Sequence, residues 1–262
     1  MIRYLRLYLN FLRFSFSKAM EFRVDFTFRI FMDCMYYAVN IGFFQILFLH
    51  TPLIGGWNNE EMLIFVSICL LVDAIHMTVF SSNLWWLPFY INRGDLDFYL
   101  IRPVSPLFFL SLREFSANSF VNLIIASGIF IFSLFNYSIS FSFLDVFLLL
   151  ILILNGCFIY YCLQMIMILP VFWTQSTRGF IDLFYSLGLI GERPDRIYKG
   201  ITRVIFTWII PFCLISSFPA KIFIDGFDWP TIFHISVVTF IVWNITHFIW
   251  RSGLRSYSSA SS

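Results

Sequence analysis

Six long apolar runs, separated by short polar stretches, organise this chain: residues 24–50, 60–82, 108–136, 143–170, a fifth from about 203 that is interrupted by Pro211 and Pro219, and a sixth ending at Trp250. At 1.5 Å rise per residue, about 20 apolar residues cross a hydrocarbon core. Hydrophobic residues make up 60% of the 262 and charged ones 12%, against about 25% charged in an ordinary soluble domain. A water-soluble core cannot absorb that excess. The expected fold is therefore an all-α integral membrane protein with six transmembrane helices over 24–250.

The flanking segments set an orientation. Residues 1–23 place Arg3, Arg6, Asn10, Arg13 and Ser17 on one helical stripe and Leu5, Leu9, Leu12 and Phe16 on another, with Lys18 and Arg23 following. That pattern predicts an amphipathic helix lying at the membrane interface, kept in the protein because no uninterrupted apolar run marks a signal peptide. Asp25, Arg29 and Asp33 follow at i,i+4 spacing and read as an anchor at the membrane edge. In a six-span chain with both termini inside, 16 of the 17 Lys and Arg fall on the cytoplasmic side and only Lys221 outside. The positive-inside rule thus predicts an N-in/C-in topology, with cytoplasmic connections at 92–106 and 171–202 and a cytoplasmic tail at 251–262.

Catalytic motifs are missing from this scaffold. No GxxxxGKS/T occurs, and none of Lys18, Lys199 or Lys221 follows a glycine-rich loop, so ATP hydrolysis is expected on another chain. HExxH and GxSxG are absent too, which removes the usual placement of metal, base or nucleophile. The five cysteines, Cys34, Cys69, Cys157, Cys162 and Cys213, lie in apolar runs without ligand spacing, so neither disulfide nor metal nor other cofactor is expected. A net charge of +2 gives no footprint for nucleic acid. The costly groups are Asp73 and His76, three apart in the second run, and Glu114 in the third. They either line a hydrated translocation path or are partnered within the bundle. Ser116, Ala117, Ser119, Ala126, Ser127, Gly128 and Gly156 are expected to permit close helix approach.

The second connection carries Gly94, Leu96, Asp97, Leu100, Arg102, Pro103, Ser105, Leu107 and Phe108 in the order G-x-L-D-x-x-L-x-R-P-x-S-x-L-F. It resembles the corresponding segment of type-2 ATP-binding-cassette (ABC) permeases, in a bacterial exporter-like branch. Residues 203–220, with Ile210-Pro211 and Phe218-Pro219-Ala220, and the tail from Trp250 to Ala260 agree, although Ser258-Ser259 stand where the family often has a glycine. The resemblance implies a permease subunit in the bacterial cytoplasmic (inner) membrane, among its lipids, pairing with an identical or related second permease and with two ATPase subunits that hold ATP and Mg. It also implies that 92–106 is a coupling helix, with Asp95, Asp97, Tyr99 and Arg102 as the ATPase-coupling residues. A membrane-embedded lipid-modifying enzyme and an ion-coupled secondary transporter, both using Asp73, His76 or Glu114, are the competing readings.

Overall fold

A computed structural model describes residues 2–19, 23–137, 141–176 and 178–257. Expectations for the side chains of Arg3, Leu5, Phe16, Ser17, Lys18, Arg23, Asp25 and Ala117, and for the tail beyond Tyr257, lie outside the described residues. The described chain is helical, with one isolated bridge between Ile54 and Trp57.

In chain order the helices are α1 (Ile2–Ala19), α2 (Arg23–Phe48), α3 (Asn59–His76), α4 (Ser82–Arg93), α5 (Asp97–Leu100), α6 (Pro106–Leu112), α7 (Ala117–Phe135), α8 (Phe143–Ile168), α9 (Val171–Thr174), α10 (Arg178–Gly191), α11 (Gly200–Val204), α12 (Cys213–Asp225) and α13 (Trp229–Ser256). A π-helical turn, Met77–Ser81, joins α3 to α4, and another, Ile205–Ile209, extends α11. Among the described residues, four helical stretches are long and apolar enough to cross a membrane: Thr27–Phe48, Asn59–Arg93, Phe143–Thr174 and Trp229–Ser256.

The centre of the bundle is α3, which packs against α2, α7, α8 and α12. Its apolar residues run all the way round, and Met62, Phe65, Ile68, Leu71 and Ala74 are all buried. A helix without a polar face has to be enclosed. Its start is held by a capping box in which Asn58 Oδ1 accepts from the Glu61 N–H at 3.0 Å and Glu61 Oε2 from the Asn58 N–H at 2.8 Å. Ser142 and Asp145 form the same reciprocal pair at the start of α8, and Asp228 caps α13. Acidic residues near these apolar runs thus satisfy the orphan N–H groups of helix N-termini.

Two ends of the bundle can be told apart by contacts. At one, Phe11 of α1 meets Phe109 of α6 edge-on at 5.2 Å, Asn92 donates to the Gln175 carbonyl at 2.9 Å, and Trp173 Nε1 donates to Ser256 Oγ at 3.0 Å. The 92–106 connection lies there, with α1 and the last turn of α13. At the other, the Arg196 guanidinium sits 5.5 Å from the Trp57 ring and pairs with Asp225, while Phe141 packs on Phe223.

The stretch 171–202 does not stay at one end as expected. Val171–Thr174 sits at the first end, α10 runs along α8 and α12, and Pro194 to Ile197 packs beside Gly55 at the opposite end. That end therefore holds Arg193, Arg196, Lys199, Arg203 and Lys221, five of the 17 basic residues instead of one. The charge count misled because most of these cations answer side-chain partners brought to that end by the fold: Arg203 binds Asp195, Arg196 binds Asp225, and Arg193 lies 4.5 Å from the Phe43 ring. Cysteines placed at the exposed Asn58 and Lys199 are accordingly expected to react with an impermeant thiol reagent from the same side of intact cells. Opposite sidedness would contradict this path for α10.

Two further runs differ from the sequence expectation. The fifth is not one crossing helix, because Gly200–Ile209 and Cys213–Asp225 meet at 100°. Pro211 sits in the break, where its missing N–H and fixed φ end the first arm. Both arms return to one end, since Arg203 on the first and Ser217 on the second hold the same Asp195. The third run is also broken, between α6 and α7. There Asn83 bridges the exposed backbone of Glu114, accepting from its N–H at 2.8 Å and donating to its carbonyl at 2.6 Å.

Candidate functional site

The 92–106 connection is a compact, internally braced turn. Gly94 ends α4 with φ of +80°, a conformation that suits glycine, and its N–H bonds the Ile91 carbonyl. Leu96 is fully buried beneath the turn. Asp95 lies before the single helical turn Asp97–Leu100 without capping it, since the N-cap is Leu96 and no side chain bonds there.

Of the expected coupling residues, Tyr99 and Arg102 brace the turn from within. The Tyr99 ring lies between Tyr90 and Phe109, at 5.4 and 5.6 Å, and its hydroxyl takes a hydrogen bond from Arg113. Arg102 stacks its guanidinium 4.6 Å from the Phe109 ring and donates from Nε to the Phe98 carbonyl at 3.2 Å. Such cation–aromatic contacts fix a short loop without a long helix. Asp95 is half-buried and Asp97 lies beside Tyr257 at the end of α13, where burial and the negative charges of Asp97 and Asp95 push the Tyr257 hydroxyl above its usual range. What projects from the turn is apolar: Phe98 is 64% and Ile101 80% exposed. Sequence reading passed over both, because apolar residues in so apolar a chain carry no contrast. Their i,i+3 spacing between charged neighbours is the signal that could have marked them.

A cavity of about 510 Å³ opens among α2, α3, α8, α10 and α12. Asp73 of α3 lines it together with Asp33 and Tyr36 of α2, Tyr160 of α8, Tyr185 of α10 and Glu192 beyond α10. The Tyr36 hydroxyl donates to Glu192 Oε1 at 2.9 Å, and Asp33 accepts from Asn122 Nδ2. Asp73 has no hydrogen-bond or ion-pair partner among the described residues. A smaller cavity of about 370 Å³ lies between α2, α3 and α7 and shares Asp33, Asp73 and Met77 with the first.

Of the three residues singled out for a path, the structure thus brings only Asp73 to the cavity. His76 is 1% exposed and packs its ring 4.2 Å from that of Tyr160, away from both cavities. Glu114 sits at the α6–α7 break. Asp33 and Glu192 take their places, the first read from sequence as an anchor and the second as part of a connection. Among the described residues no group of three or more His, Cys, Asp or Glu could hold a metal ion.

The family model described as "ABC-2 family transporter protein" matches residues 34–261, which include the braced connection, the bent helix pair and every described lining residue of the larger cavity but Asp33. No curated protein and no solved structure matches the chain. With 228 of 262 residues inside that match, the chain belongs to the ABC-2 family of transporter proteins and is a multi-pass membrane permease of an ABC transporter.

Proposed function

We propose that this permease is the membrane subunit of an exporter driven by a separate ATPase, and that the 94–105 turn is where the ATPase docks. The observation that carries the reading is the pair Phe98 and Ile101, exposed on a turn that Tyr99, Arg102 and Leu96 hold rigid. A buried apolar anchor with charged neighbours is the usual core-and-rim composition of a protein interface. Asp95 and Asp97 then act at the rim, and ATP and Mg are bound by the partner chain.

On this reading the end bearing the turn is cytoplasmic, in a bacterial inner membrane. Both α1 and the last turn of α13 lie at that end, which supports N-in/C-in with α10 in place of 203–225 as the fifth of six crossings. Helix α1 lies in the interface against lipid headgroups, and the last turn of α13, with Tyr257 after it, lies on the cytoplasmic side beside the turn. A second permease, identical or related, completes the path, with Asp73 lining it and His76 and Glu114 serving the packing. Outward transport is supported by the resemblance of the 94–108 segment to exporter permeases.

Phe98→Asp with Ile101→Asp is expected to weaken ATPase co-purification by about 30-fold, the equivalent of one interface hot spot of about 2 kcal/mol. Asp95→Arg or Asp97→Arg should act less, as rim charges do. Membrane insertion of every variant should match the parent, since the turn lies outside the apolar spans. Parental co-purification of the Phe98/Ile101 double variant would sink the docking assignment.

A further inference from the structure

The larger cavity combines three carboxylates with aromatic walls and has no Lys, Arg or His among its described lining residues. The basic residue nearest in sequence to Asp33 is Arg29, which lines the smaller cavity on the other side of Asp33 and Asp73 and faces Asp33 electrostatically. Acceptors outnumber donors on the shared wall. Asp73 keeps both oxygens unpartnered among the described residues. Asn122, which lines the smaller cavity at 4% exposure, spends its amide N–H on Asp33 and leaves its Oδ1 without a partner.

An unpaired carboxylate and a buried unpaired amide oxygen are expensive inside an apolar bundle. Packing alone would have placed an apolar residue at Asp73. A ligand that brings N–H donors and positive charge to the larger cavity removes the first of these costs, at Asp73, which both cavities share. The rings of Tyr36, Tyr160 and Tyr185 add faces that attract a cation, and a volume of about 510 Å³ lies in the range of small-molecule sites, about 300–1,000 Å³.

We infer that this cavity binds an organic cation, an ammonium or guanidinium group carried on an apolar body, as cargo. Asp73 takes the charged head, Asp33 and Glu192 complete the field around it, and the tyrosine and phenylalanine walls hold the body. The inference rests on the permease reading above and names the cargo class for it.

The test uses the full-length chain in lipid nanodiscs without its ATPase, so that binding is read apart from coupling. The probe is dansylcadaverine, a primary ammonium on a fluorescent apolar body, and its N-acetylated neutral derivative is the matched control; fluorescence anisotropy reports both. The ammonium form is expected to bind the unaltered protein about tenfold more tightly than the neutral form. Asp73→Asn and Glu192→Gln, tested separately, should each erase most of that preference, whereas Phe240→Ala on the exposed face of α13 should leave it intact.

Equal binding of the two forms by the unaltered protein would overturn the inference without recourse to any variant. So would displacement of the probe by sodium chloride but not by choline chloride, which would give the carboxylates to a metal ion. Intact ammonium preference alongside parental ATPase co-purification of the Phe98/Ile101 variant would remove the docking reading and leave the cavity assignment standing. The reverse pattern would remove the cation and leave the permease.

Discussion

Replacing Arg203 by alanine is expected to destabilise the protein by about 3–5 kcal/mol, because it strands a buried charge. Asp195 is fully buried, and its Oδ2 accepts from Arg203 Nε at 3.2 Å and from Nη2 at 2.6 Å. Its Oδ1 accepts from the Ser217 hydroxyl at 2.7 Å, and the Asp195 N–H donates to Ser217 Oγ at 2.9 Å. Without Arg203, the carboxylate keeps only a serine. Asp195→Asn should cost less, about 1–2 kcal/mol, because the Arg203 side chain is 45% exposed and can turn to water. Adding Asp195→Asn to Arg203→Ala should therefore recover part of the loss. Thermal unfolding of the purified protein, read by size-exclusion recovery after heating, orders the three variants. Equal tolerance of Arg203→Ala and Asp195→Asn would contradict the buried Asp195 carboxylate, held by Arg203 and Ser217, as the joint between the two arms of the bent helix.

The second large effect is expected at Gly156, where α8 crosses α12. A Cβ there would lie 2.2 Å from the Ile215 carbonyl oxygen, a backbone atom that no rotamer change can move. Gly156→Ala should cost at or above the upper end of the usual overpacking range of about 1–3 kcal/mol. Gly128→Ala is the internal comparison. A Cβ on Gly128 meets nothing within 4 Å, so the change should gain part of the helix-propensity difference, about 1 kcal/mol. Heat-treated recovery that falls for Gly156→Ala and holds for Gly128→Ala is the expected result; similar values for both would refute the close crossing. The sequence places both glycines in small-residue stretches, and only the three-dimensional crossing separates them.

Some elements were legible because a local property suffices to specify them. Runs α2, α3, α8 and α13 each carry enough apolar length to announce a helix, and Pro211 announces the break through its own backbone chemistry. Helix α10 was not legible, since Arg178 and Asp182 near its start and Glu192 and Arg193 just after it give it the look of a connection. Those charges find partners that sit far away in the chain: Tyr36 for Glu192 and Phe43 for Arg193. The same limit applied to the cavity. Asp73 could be flagged from the cost of a carboxylate in an apolar run, but Asp33 and Glu192 reach it from two other elements. His76, only three residues on, points to Tyr160 instead. At the 94–105 turn the motif located the segment, while the division into bracing residues and exposed apolar ones depended on Phe109, Arg113 and Tyr257.

The π-helical turn at Met77–Ser81 interrupts the helix that runs from the cavity at Asp73 to the braced turn that begins at Gly94. A π-turn holds one residue more than an α-turn, and one residue is about 100° of azimuth on a 3.6-residue helix. The side chains lining the cavity and those leading into the 94–105 turn therefore follow two phases of the sequence pattern on one rod. Removing a single residue within the π-turn and closing it as an α-turn would leave Gly94 at nearly the same distance and bearing, because a π-turn spreads one more residue over about the same rotation and rise. The extra residue is thus absorbed where it sits: the cavity stripe of α3 and the residues of α4 that lead to the 94–105 turn keep their mutual bearing, while their spacing in sequence is one longer than an α-helix would need.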